Sequence, residues 1–284
     1  MQTKGIRSDN HVHTQFSSDS QTPMEQMLKQ AIASGLTSIC FTDHMDYDFP
    51  DIGNGMDFLF DPDAYFKELH RLQALYPQIQ IRQGVELGLK PDLTEKCQAL
   101  TTSYPFDFII GSTHLVDNFD PYFPAYWEGK TEKEGIERYY KITLENIHAG
   151  IDFDVYGHID YIIRYTPTQQ ANRANGIHSE SYMSSCLHDS IDIIEEILRT
   201  LIEQGRGIEL NTAGLKYGLG HPHPHELVLK RYRELGGEIL SIGSDGHQPE
   251  HLAYDFAKVP QILHDCGFRY YTEFAGRKPV MIPL

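Results

Sequence analysis

Short apolar runs rich in β-branched residues alternate along the chain with longer amphipathic stretches, and that alternation predicts most of the elements. Candidate strands lie near residues 8–13, 38–42, 79–86, 107–112, 153–157, 207–211 and 238–243. Between them, Thr22-Pro23-Met24-Glu25 reads as a capping box with proline in the first turn, and Asp61-Pro62 and Thr131-x-x-Glu134 open two further helices. From 180 to 205, Met183, Leu187, Ile191, Ile194, Leu198 and Leu201 recur at helical spacing and Gly205 follows, which predicts one long amphipathic helix. Pro260 interrupts the helical pattern after 250 and is expected to break or kink it. No repeat, low-complexity tract or Pro/Gly/Ser linker divides the sequence, so residues 1–284 read as a single catalytic domain.

Strands alternating with helices call for a parallel sheet, open or closed into a barrel. The residues at the strand ends favour closure. They are His11 and His13, then Asp43 and His44, Glu86, His114, His158, Glu209 and Asn211, and finally Asp245 and His247. All are metal-ligand or proton-transfer types. A barrel gathers the C-terminal ends of its strands on one face, whereas an open sheet spreads them along a line, so these ends predict a closed α/β barrel of about seven βα units.

Charge and composition narrow the partners. With 40 acids against 24 bases the formal charge is −16, and no Lys/Arg run could follow a phosphate backbone, which argues against a nucleic-acid partner. No apolar stretch approaches about 18 residues, and the N-terminus lacks the apolar segment of a secretory signal. A soluble, cytoplasmic protein with no membrane partner is expected. Cys40, Cys97, Cys186 and Cys266 are widely spaced without C-x-x-C and read as buried thiols.

The outlier is histidine, at 15 residues, and it directs the reading to metal chemistry. On a strand, His11 and His13 project from one face and can share an ion, and Asp245-x-His247 repeats the spacing. Taken alone, Glu86 would be a solvated loop acid, and His114 or His158 a satisfied structural histidine. A multinuclear site explains them together. Histidine-plus-carboxylate sets suit Zn, Fe or Mn, and a carboxylate can bridge two ions.

From His11-Val12-His13 through Thr42-Asp43-His44, Gly84-Val85-Glu86, Gly111-Ser112-Thr113-His114, Gly157-His158 and Ser244-Asp245-Gly246-His247, nearly the whole chain resembles the PHP (polymerase and histidinol phosphatase) metallophosphoesterases. Within them, Glu209 to Tyr217 (ELNTAGLKY), Asp120 to Pro124 (DPYFP), Trp127 to Lys130 (WEGK) and Arg277-Lys-Pro279 are similar to the histidinol-phosphatase branch. The resemblance implies a distorted (β/α)7 TIM-like barrel with two to three divalent metal ions (Zn, Fe or Mn). By motif, His11, His13, Glu86 and Asp245 would hold the first ion and Asp19, His44 and His247 the second. Glu86, His114 and His158 would hold the third, with Glu86 bridging.

The implied activity is hydrolysis of L-histidinol phosphate to L-histidinol and phosphate in histidine biosynthesis. A metal-bound hydroxide would attack phosphorus with Asp19, His44 and His247 nearby, and no side-chain nucleophile is needed. Arg164 and Lys216 stand just beyond strand ends and are the candidate grips on the phosphate, the bland alternative being surface bases paired with nearby acids. Asp46 or Asp48 could receive the ammonium and imidazole of the substrate. Competing readings are a PHP phosphatase for another small phosphate ester or nucleotide, and a barrel that holds metal without turnover. An amidohydrolase also uses H-x-H on a first strand, but would want a metal-bridging Lys at a middle strand end.

Overall fold

The first strand has an unusual composition for a buried element: β1 (Ser8–Val12) reads Ser-Asp-Asn-His-Val, and all five residues are buried. The computed structural model, which describes residues 5–284 except 52, 54, 56, 178 and 179, explains this by placing β1 at the seam of a barrel. The remaining strands in chain order are β2 (Ser38–Phe41), β3 (His44–Met45), β4 (Gln80–Gly88), β5 (Phe108–Ser112), β6 (Val155–Tyr156), β7 (Gly207–Asn211) and β8 (Leu240–Gly243). A terminal hairpin adds β9 (Tyr270–Ala275) and β10 (Lys278–Pro283). β1, β2, β4, β5, β6, β7 and β8 lie side by side in that order, all pairs parallel, and β3 pairs with the upper part of β4, setting His44 opposite Glu86.

Between β8 and β1, side chains do the joining. The Asn10 amide donates to the Ile242 carbonyl at 3.0 Å, and buried Asp9 accepts the Ser244 amide and hydroxyl and the Ala253 amide. Main-chain bonds cross beyond the strand ends, from Asp245 N–H to the His11 carbonyl (2.9 Å) and from His13 N–H to the Gly246 carbonyl (3.0 Å). Asp9 and Asn10 are therefore buried because their side chains replace a ladder. The product is a nearly closed barrel of seven parallel strands with helices packed against it, as the strand-end pattern predicts.

Some local expectations fail. The helix Met24–Ala33 has no side-chain cap, because the Thr22 hydroxyl donates to the His247 carbonyl and Glu25 pairs with Lys29 and Arg71. The stretch 180–205 forms two helices, Glu180–Asp189 and Ile191–Glu203, interrupted at Ser190. The apolar spacing hides the break because Met183, Leu187, Ile194 and Leu198 are buried on both sides of it. Pro260 opens the helix Val259–Asp265, where its missing N–H is not needed. The Thr131–Glu134 capping box and the Asp61 cap form as read.

The β9–β10 hairpin, absent from the strand reading, covers the N-terminal end of the barrel. Arg82 donates to the Phe274 carbonyl at 2.6 Å and pairs with Glu273, while Arg277 pairs with Asp154 and Asp152. Phe274 stacks on Phe108 inside a small cluster with Cys40, Ile110 and Val155. The C-terminal ends of the strands form the opposite face. The first four residues of the N-terminal stretch read for a secretory signal lie outside the described residues, and among those described no helix is long and apolar enough to cross a membrane. The four cysteines are unpaired, Cys186 half-buried and the others buried.

Candidate metal centre

Glu86, fully buried on β4, sits at the middle of the C-terminal face. Its Oε2 lies 3.1 Å from His11 Nε2, 3.5 Å from His13 Nε2 and 3.1 Å from His44 Nδ1. Its Oε1 lies 3.2 Å from His114 Nε2 and 2.9 Å from His158 Nε2, and accepts the Ser112 hydroxyl. Asp245 Oδ1 is 3.4 Å from His13 Nε2, and Asp19 Oδ2 is 3.0 Å from His247 Nε2 and 3.6 Å from His44 Nε2. The structure thus brings together every ligand expected from sequence. Gly243 makes the crowding possible, since a Cβ there would meet the His11 Cβ at 2.3 Å and Glu209 Oε1 at 2.6 Å. Asp245 holds φ at 53°, a costly left-handed backbone that turns its carboxylate into the cluster.

Donor counting assigns the ring nitrogens. His11 donates from Nδ1 to Glu209 at 2.6 Å, His114 from Nδ1 to Asp46 at 2.7 Å, and His247 from Nδ1 to the Asp245 carbonyl at 3.2 Å. His13 Nδ1 lies 3.1 Å from the Ser17 hydroxyl, which gives its one proton to Asp43 and accepts the His44 N–H. The remaining Ser17 lone pair must therefore take an N–H from His13. In the neutral form that ligates a metal, each of these rings presents a bare Nε2 inward.

The Nε2 atoms of His11 and His13 stand only 3.0 Å apart. Two bare lone pairs at that distance repel unless a proton or a metal ion lies between them, and two imidazoles each about 2.0–2.1 Å from a zinc ion stand at about that separation. The donor set fits a divalent metal. Each of the groups His11–His13–Asp245, His11–Glu86–His158, His13–His44–His247 and His44–Asp46–His114 brings three ligand atoms within 4.8 Å of one another. Burial drives the Glu86 carboxyl up, but the facing His11, His114 and His44 rings, protonated while no ion neutralises the cluster, outweigh it and hold the group well below the usual carboxylate range. Asp245 and Asp19 are held low against burial in the same way, chiefly by His11 and by His247 respectively.

Sequence reasoning missed the outer partners. Glu209 and Asp43 stood at strand ends but carried no assigned role, Asp46 was offered with Asp48 as a receiver of the substrate's cationic groups whereas it pairs with His114, and Ser17 gave no signal.

Beside the cluster opens a cavity of about 510 Å³ lined by Asp19, His44, Glu86, Asp120, Arg164 and Tyr217 among others. Arg164 is only 8% exposed, and its guanidinium lies 5.2, 4.6 and 4.5 Å from the Tyr161, Tyr165 and Tyr217 ring centres. It donates to the Tyr165 hydroxyl and, among the described residues, pairs with no carboxylate. Lys216, its expected companion, does not line the cavity; its ammonium donates to the Asp245 carbonyl at 2.9 Å. Asp48 is exposed and paired with Lys96, so the acid on the free wall is Asp120, whose carboxyl burial pushes up to about 6.

Barrel and cluster together define the class: the chain belongs to the PHP domain family, which matches residues 9–213. It is 31% identical over 263 residues to the probable histidinol-phosphatase of Clostridium acetobutylicum, covering 92% of this chain and 94% of that one. It is 29% identical to the histidinol-phosphatase of Lactococcus lactis, with 95% of each chain covered. The crystal structure of histidinol phosphate phosphatase from Lactococcus lactis, complexed with zinc, L-histidinol and phosphate, matches with a TM-score of 0.83 at 28% identity, covering 96% of this chain and 98% of that one.

Proposed function

We propose that the protein is a metal-dependent phosphoric monoester hydrolase that converts L-histidinol phosphate to L-histidinol and phosphate, a step of histidine biosynthesis. The observation that carries the phosphate is Arg164. A buried guanidinium with no carboxylate partner is costly, and here it faces the cavity next to the ligand cluster, where an anion would complete it. Its planar fork suits two phosphoryl oxygens.

His11, His13, Glu86 and Asp245 would hold one ion, Asp19, His44 and His247 a second, and His114 and His158 a third, with the two oxygens of Glu86 serving the first and the third. When bound, such ions supply an activated water and neutralise charge on the phosphoryl oxygens. The protein groups do the rest. Glu209, Asp46 and Ser17 fix the tautomers of His11, His114 and His13, so that their lone pairs need no rearrangement. Asp120, with Phe49, Phe58 and Tyr122 around the same cavity, forms an acidic and aromatic wall for the ammonium and imidazole of the alcohol. No lysine occupies the central bridging position, which is Glu86, so the amide-hydrolase reading lacks its bridging group.

A panel of histidinol phosphate, other small phosphate esters, nucleoside monophosphates and peptide amides, assayed on zinc- and manganese-loaded protein, tests the reading. Histidinol phosphate should give the highest kcat/KM. Faster turnover of another phosphate ester would move the substrate, and turnover of amides alone would overturn the reaction class.

A further inference from the structure

Two cations were expected to grip the phosphate, and the structure treats them differently. Arg164 faces the cavity and, among the described residues, pairs with no carboxylate. Lys216 ends the short helix Ala213–Lys216 that follows β7, and its ammonium is directed at a backbone oxygen of the neighbouring strand's loop. That oxygen belongs to Asp245, the left-handed residue that carries a candidate ligand carboxylate. A carbonyl has two lone pairs. One takes the His247 Nδ1–H at 3.2 Å and the other takes the Lys216 ammonium at 2.9 Å. The same two loops are tied again by Thr212 N–H to the Gly243 carbonyl (2.9 Å) and by the Asn211 amide to Asp245 Oδ2 (3.4 Å).

We infer that Lys216 is a positioning residue: by fixing the Asp245 carbonyl it orients both the Asp245 carboxylate and the His247 ring, and does not hold the substrate. The carbonyl is the pivot, because rotation of that peptide would move the carboxylate off His13 and leave His247 Nδ1 free to take the other tautomer. Lys216 thus acts on the metal-facing side of the site and Arg164 on the phosphate-facing side.

The inference rests on the metal-centre reading, and its test separates the two cationic roles. Zinc affinity of K216M, K216R and wild type is measured by competition with a chelator, with no substrate present, alongside kcat and KM for histidinol phosphate. Loss of an outer-shell partner typically costs about 10- to 100-fold in metal affinity or activity, and K216M should lose the weakest-bound zinc by that factor. Its kcat should fall with it while KM stays within about 2-fold, and K216R, which keeps a donor of sufficient reach, should recover most of both. A KM raised about tenfold with unchanged zinc affinity and kcat would make Lys216 a substrate grip and overturn the inference, as would wild-type values throughout. If K216M does not fold, K216Q, one atom too short to reach the carbonyl, gives the same readouts. Should wild type fail to hydrolyse histidinol phosphate while K216M still loses zinc, the functional reading falls and the positioning role stands.

Discussion

Arg164 and Glu86 make opposite demands on a substitution. If Arg164 grips the phosphate as proposed, replacing it by Met removes a charge-assisted hydrogen bond worth roughly 1.5–3 kcal/mol, which is about 10- to 150-fold in kcat/KM. Bound metal should be unchanged, as atomic absorption on the same sample would show. Glu86→Ala should lose metal first and activity as a consequence, and should lose more than Asp19→Ala, because Glu86 faces five imidazoles and Asp19 two. Equal metal content in the two variants would contradict the bridging assignment.

Asp43 offers a measurement independent of activity. Burial, only partly offset by the Thr14 and Ser17 donors, pushes its carboxyl up to about 6. An unfolded aspartate titrates near 3.9, so the folded chain binds this proton the more tightly. Its contribution to stability is complete below that pH and is lost as pH rises through about 6. In chelated protein, Asp43→Asn should therefore gain on wild type between pH 4 and 6, by at most about 3 kcal/mol. Urea unfolding at both ends of that range reads it, and a constant difference would show that burial does not govern this carboxyl.

Among the elements, the tight contacts of β8 are the most exacting. Gly243→Ala must displace the His11 Cβ or Glu209, so it should destabilise the fold by about 1–3 kcal/mol and weaken zinc binding together with it. A variant that binds zinc normally would mean that β1 and β8 separate more easily than their contacts suggest.

How much of this was legible follows from what each residue does. Most of the candidate ligands are His, Asp or Glu at or just beyond a strand end, so His11, His114 and Asp245 were visible in the sequence. Ser17 holds a ring through one hydroxyl in a loop, and no spacing marks that role. The break at Ser190 was invisible because a one-residue interruption leaves the buried side in phase. The hairpin was obscured by Pro279 and Pro283, which read against a strand. Its two-residue turn at Gly276 and Arg277, with φ of 53° and 64°, left only a faint signal.

At the scale of the whole molecule, a centre drawing ligands from β1 through the loop after β8 should couple metal to folding. Chelation should abolish activity and lower Tm, and zinc should restore both, because the clustered imidazoles and carboxylates are otherwise left unbridged. A Tm unmoved by chelation would indicate that the cluster is held by the barrel alone.

The seam has a further consequence, for the order of events during synthesis. Asp9 leaves the ribosome 235 positions ahead of its partner Ser244. At about 5–20 residues per second, β1 waits roughly 12–50 seconds with its polar side chains unmatched. No nascent chain that stops short of the loop after β8 can bring Asp245 or His247 to the site, so the candidate ligand set assembles only once that loop has been made. A chain interrupted before that loop would therefore lack two of the candidate ligands, whatever metal the cell supplies.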